Sequence, residues 1–183
     1  MPALDMLSIA VKRLVLIGAA AAAAGWCDAA PAAGTDGEAA VVAKLYKDFA
    51  WQAVASQADL FGDDLPHQNK GTLEKYFAPE LADLLVKDAA CQVRYQGICN
   101  LDFDLLFDSQ DPRVTDLDVE TTSPGHVSVV YKDPVDEKKT RIDFDMARVA
   151  GNWKIKDVVY RSPDKVSLKT LLSRPMPKVE GGK

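Results

Sequence analysis

The apolar positions of this chain change period once, and the change divides it into a helical part followed by a stranded part. Val42, Leu45, Phe49 and Ala53 recur at helical spacing, with Val41 and Trp51 broadening the apolar side, so residues 38–57 are expected to form one amphipathic helix. Phe61-Gly62-Asp63-Asp64-Leu65-Pro66 breaks it. Thr72 can start a short turn through Tyr76-Phe77. Pro79 suits the first position of a second helix, which carries Leu81, Leu84 and Leu85 and is expected to end near Ala90. From Cys91 to Asp111 no period is clean. The segment reads as a long connection with a brief turn at Leu105-Leu106-Phe107, and connections of that length are either functional or tied down.

Beyond Pro112 the period is two. Leu117, Val119 and Thr121 alternate with acids, and Val127, Val129 and Tyr131 follow after Ser123-Pro124-Gly125. A three-residue loop there sets Val119 opposite Val129 and Leu117 opposite Tyr131, which keeps both apolar sets on one face; a two-residue turn would separate them. Ile142, Phe144 and Met146 mark a third strand. Gly151-Asn152 is expected to make a tight hairpin into a fourth strand, Trp153 to Tyr160, which ends at Ser162-Pro163. Val166, Leu168, Leu171 and Leu172 suggest a last short helix, and a Pro- and Gly-rich tail occupies 174–183. Helices first and four antiparallel strands afterwards predict an α+β fold: N-terminal helices packed on a curved four-stranded meander that curls over them, cone-like.

Composition leaves that picture in place and narrows the classes of function. The 183 residues are 48% hydrophobic, 27% charged and 8% aromatic, with three cysteines, which excludes a disordered chain, a collagen and a disulfide miniprotein. One domain is expected, over 38–173, and a chain of this size buries about two-thirds of its unfolded surface without help from metal or disulfide. A net charge of −5 argues against binding to nucleic acid, whose phosphates call for clustered Lys and Arg.

The first residues read as an address. Lys12 and Arg13 precede an apolar run from Leu14 through six alanines to Trp26, which is shorter than the ~20 residues that a membrane-crossing helix needs. Residues 1–29 are therefore expected to be a cleaved export signal and 30–37 a flexible lead, with no stable membrane anchor and a periplasmic or secreted product. Trp26 stands where a lipoprotein signal would place a small residue before Cys27, which speaks against lipidation. Cleavage removes Lys12 and Arg13 together with Asp5 and Asp28, so the charge of −5 is unchanged. It also leaves an even pair, Cys91 and Cys99, which an oxidising compartment is expected to join as a loop staple.

Several short runs together resemble a known family. Leu45-Tyr46-Lys47-Asp48-Phe49, Tyr76-Phe77-Ala78-Pro79-Glu80-Leu81, Cys99-Asn100-Leu101-Asp102-Phe103-Asp104, Ser109-Gln110-Asp111 and Gly151-Asn152-Trp153-Lys154-Ile155-Lys156-Asp157-Val158 are similar to the domain-of-unknown-function 3828 family of exported bacterial proteins. The resemblance spans about residues 38–173 and implies a nuclear transport factor 2-like, cystatin-like cone. That fold is a strongly bent, helix-packed sheet with room for a pocket. It implies no reaction, because cone folds host enzymes, binding modules and assembly partners alike.

The chemistry legible in the residues is sparse. His67 and His126 lie in a loop and at a turn, and no zinc, nucleophile-elbow or phosphate-loop motif is present, so no metal, cofactor or catalytic residue is expected. Asp102, Asp104, Asp108 and Asp111 gather oxygens in one loop, yet an EF-hand count from Asp102 puts Phe107 at position six and Arg113 at position twelve. They are read as turn-capping residues. A Gly151-Asn152 turn would make Arg148 and Asp157 diagonal neighbours among core residues, either as a structural ion pair or as a pair that orients a ligand in the pocket. These two are the pocket candidates. The preferred function is a non-catalytic envelope module that binds a protein or a small hydrophobic ligand. The alternatives are a cofactor-free lyase or isomerase using Asp157, and an immunity protein against an envelope-directed toxin.

Overall fold

The computed structural model describes residues 37–54, 58–161 and 166–176. The expected export signal, nearly all of the expected lead, the expected strand end at Ser162-Pro163 and most of the tail lie outside the described residues. Helices α1 (Glu38–Phe49), α2 (Ala58–Phe61), α3 (Lys70–Leu73) and α4 (Pro79–Tyr95) precede strands β1 (Thr115–Ser123), β2 (His126–Lys132), β3 (Lys139–Val149) and β4 (Asn152–Tyr160), and α5 (Leu168–Leu172) follows. The strands form one antiparallel sheet in the order β1-β2-β3-β4, so the fold is the α+β meander expected from the change of period.

Val42, Leu45, Tyr46 and Phe49 line one side of α1 and are buried in the core. The helix ends sooner than its apolar spacing predicts: at Phe49 φ is −128°, and Ala50–Ala53 tighten into a 3-10 turn. Long-range contacts decide this. The turn stacks Trp51 on Phe61, with ring centroids 5.2 Å apart, and aims Gln52 at Leu65 and Asp104. Helix α3 starts at Asn69, whose side chain accepts from Thr72 N at 3.0 Å, so the start falls a little before Thr72. Pro79 is the first residue of α4, as expected, but the helix passes Ala90 and closes at Gln96, with φ 52°. Asp88 and Gln92 explain the extension: from the last turns of the helix they accept from Asn100 N (2.9 Å) and donate to Leu101 O (3.3 Å). Cys91 therefore sits within the helix and is disulfide-bonded to Cys99, with a Cα–Cα distance of 6.2 Å.

The register places the core. Val119 pairs with Val129 as predicted, but the expected three-residue loop is not what sets it: Ser123 pairs with His126 around a two-residue Pro124-Gly125 turn, and a bulge at Thr122 restores the register that keeps the apolar sets on one face. Asp116 and Leu117 together face Tyr131 across a second bulge at which Asp116 has φ 51°, and Leu117 stays exposed. In the last hairpin the turn residues are Ala150 and Gly151, with φ 48° and 83°, one position before the expected pair. A bulge at Lys156 follows. Together they match Met146 with Ile155, Phe144 with Val158 and Ile142 with Tyr160, all on the core side. The expected register would have set Met146 against Asp157. Matching apolar residues across strands overrides the simple alternation.

Helix α1 packs against β1, β2 and β4, thus against both edge strands of the sheet, as a meander curved around it does. Between them lies Leu105-Leu106-Phe107, fully buried and held by three tyrosines. Tyr160 Oη (from β4) donates to Leu105 O at 3.1 Å, Tyr46 Oη (from α1) to Leu106 O at 2.6 Å, and Tyr131 Oη (from β2) to Phe107 O. Consecutive carbonyls of one turn are thus satisfied from three elements. Burying that backbone without such partners would be costly.

Candidate functional site

The two pocket candidates are not brought together. Arg148 stands opposite Trp153 at the tip of the β3–β4 hairpin, its guanidinium 4.4 Å from the indole centroid, and donates to Gly151 O at 2.5 Å. Asp157 lies beyond the Lys156 bulge, opposite Asp145, and so on the other face of the sheet. There it accepts from Ser167 Oγ (2.5 Å), Lys169 N (2.9 Å) and Val158 N (2.8 Å), and so ties the start of α5 to β4. The expected Arg148–Asp157 neighbourhood is therefore overturned: the bulge reverses which side chains face inward after Ile155.

The same outer face carries a denser charge cluster. Asp143 is nearly buried, accepts from Ser128 Oγ at 2.6 Å and Arg141 Nε at 2.8 Å, and pairs with Arg161. Burial pushes its carboxyl up, but the hydrogen bonds from Ser128, Arg141 and Arg161 outweigh it and hold the pKa below the ordinary carboxylate value. Arg141 Nη2 also donates to Ser128 Oγ, so the group closes on itself and reads as a structural network. His126 lies farther along this face, 2.9 Å from Asp145.

The open site lies elsewhere, in a cleft of about 460 Å3 between the Leu65–His67 turn, the end of α4 and the Asp102–Gln110 loop. Gln52 builds it. Its Oε1 accepts from Leu65 N at 2.7 Å and its Nε2 donates to Asp104 Oδ2 at 3.0 Å, so one side chain fixes both walls. Asp104 also accepts from Leu106 N at 2.8 Å, the turn-capping role expected of the aspartate cluster. Burial raises its pKa above the ordinary carboxylate value despite these donors, and the nearby Asp64 adds to the shift. Across the cleft His67 Nδ1 is 2.5 Å from Asp64 Oδ1. Asp102, Gln92 and Gln110 complete the polar lining, and Pro66, Ile98, Leu101 and Phe103 the apolar one.

Such a lining can accept hydrogen bonds through three carboxylates and donate them through amides, with apolar surface for a hydrocarbon face. Among the described residues no group of three or more His, Cys, Asp or Glu side chains could hold a metal ion. Of these residues, sequence reasoning singled out the aspartate loop and His67 but missed Gln52 and Asp64. The resemblance runs that include Asp102 and Gln110 were the available signal; Gln52 carried none, because its partners lie 13 and 52 positions away. Among the described residues no helix is long and apolar enough to cross a membrane. No protein-family model matches the chain, and no curated protein or solved structure matches it.

Proposed function

We propose that this protein is an exported, non-catalytic envelope module of the domain-of-unknown-function 3828 kind, and that it contacts a partner or small ligand through the Gln52–Asp104 cleft. The observation that carries the reading is the filling of the space between helix α1 and the curved sheet. Where a cone fold would hold an enzyme's pocket, Leu105-Leu106-Phe107 is buried and pinned by Tyr46, Tyr131 and Tyr160. The Gln52–Asp104 recess lies outside that core, and its walls mix carboxylates, amides and apolar side chains as a recognition surface does. The Cys91–Cys99 disulfide fits an oxidising compartment.

Affinity capture of the tagged protein from its own envelope, with co-purifying proteins and small molecules identified together, tests this. A reproducible companion is expected, and its yield should fall with Asp102→Ala and with Ile98→Asp, two exposed substitutions in the cleft wall. A companion retained equally by both variants would move the site elsewhere. Catalytic conversion of a captured molecule, abolished by His67→Ala in a folded protein, would overturn the non-catalytic reading.

A further inference from the structure

A second cavity, of about 430 Å3, opens beside the β3–β4 hairpin tip and shares no lining residue with the Gln52–Asp104 cleft. Three of its lining residues are cations, Lys75, Arg148 and Lys154, and none is an acid. In a chain of net charge −5 that concentration is unusual. Among the described residues none of the three has a carboxylate within ion-pair distance. Glu38, an acid next to the cavity in sequence, is engaged by the β1–β2 turn, its Oε2 accepting from Gly125 N at 2.8 Å.

Two of the cations are also held in place. Arg148 is clamped between the Trp153 indole at 4.4 Å and Gly151 O at 2.5 Å, which leaves the rest of its planar fork of donors for a ligand. Lys154 Nζ donates to Glu74 O at 2.5 Å and Lys75 O at 2.9 Å, which ties the chain at Lys75 to β4. Like charges that line one cavity repel one another and are relieved when an anion binds. Val41 and Trp153 add an apolar wall to a cavity larger than an inorganic ion requires.

We infer that this cavity is an anion site for a small phosphate monoester, with the phosphoryl oxygens among Lys75, Arg148 and Lys154 and the organic portion against Trp153 and Val41. Three cations match a dianionic head, and Arg148 offers paired donors to its oxygens. The same chemistry is presented by a soluble ester and by a lipid whose headgroup is a phosphate monoester.

The test is titration of the full, isotope-labelled chain with glycerol 3-phosphate, followed by the Gly151 amide and Trp153 indole resonances. Saturable shifts at millimolar ligand or below are expected, weakening about tenfold in Arg148→Gln and again at higher salt. Lys75→Gln, an exposed substitution, should weaken binding in the same direction, and an unchanged melting midpoint in each variant would show that the fold is intact. Co-sedimentation with phosphatidic acid vesicles, set against phosphatidylcholine vesicles, separates the sources: binding only to the former assigns a lipid headgroup, and binding to neither, with the soluble titration positive, assigns a free ester. No saturable shift with either source, or shifts equal in wild type and both variants, would overturn the inference.

Discussion

Asp157 and Ser167 are joined side chain to side chain, Ser167 Oγ donating to Asp157 Oδ2 at 2.5 Å, while Thr170 N donates to the same Ser167 Oγ at 3.2 Å. The pair anchors α5, whose Leu168, Leu171 and Leu172 are buried in the core, to the β4 strand. An acid that alternation would aim at the core thus caps a helix from the outer face.

Replacing Asp157 by Ala is therefore expected to lower unfolding free energy by about 1–2 kcal/mol, the usual cost of losing a cap and its hydrogen bonds. Combined with Arg148→Ala, the loss should be additive, because the two side chains share no partner. Urea denaturation of the two single variants and the double variant measures it. Recovery in the double variant would instead mean that the two charges interact.

Tyr160→Phe and Tyr46→Phe each remove a donor from a buried carbonyl of the 105–107 turn and should each cost about 1–3 kcal/mol. Because the two carbonyls are consecutive and one segment moves with both, the double variant should depart from additivity. Chemical denaturation reads the cycle. Losses of a few tenths of a kcal/mol would show that the turn is held by packing alone.

Asp143 and Asp104 should drive stability in opposite directions with pH. Asp143 has a lowered pKa, so its contribution is complete above the ordinary carboxylate value near 4 and is lost as pH falls through the lower folded value. Asp104 has a raised pKa, so the fold favours its protonated form and loses stability as pH rises from the ordinary value through the raised one. Unfolding of Asp143→Asn and Asp104→Asn across acid to neutral pH should give differences from wild type with opposite slopes. Parallel slopes would contradict the assignment.

The Cys91–Cys99 link closes a loop with a sequence separation of 8, for which the chain-entropy model gives about 2.5 kcal/mol. Non-reducing peptide mapping of freshly isolated native protein should show the linked peptides, and the Cys91→Ala, Cys99→Ala double variant should melt earlier. Free thiols in fresh material would contradict the link and count against the proposed export to an oxidising compartment.

By itself the sequence determined whatever depends on neighbours along the chain. The change of apolar period separates helices from strands, Pro79 starts α4 because its missing N–H costs nothing there, and the two alternating apolar sets around Pro124-Gly125 place Val119 opposite Val129, although by a two-residue turn and a bulge at Thr122 in place of the expected loop. Tertiary structure decided where distant residues compete for the same space. Only the pairing of Ile142, Phe144 and Met146 with Tyr160, Val158 and Ile155 selects the Ala150-Gly151 turn and the Lys156 bulge, and that choice sends Arg148 to a cation-lined cavity and Asp157 to the cap of α5. Gln52 likewise becomes a site residue only when the Leu65 turn and Asp104 arrive on either side of it. A period records how a segment can bury its own side chains; bulges, buried carbonyls and clefts are settled by free energy shared between segments far apart in sequence, which no local pattern carries.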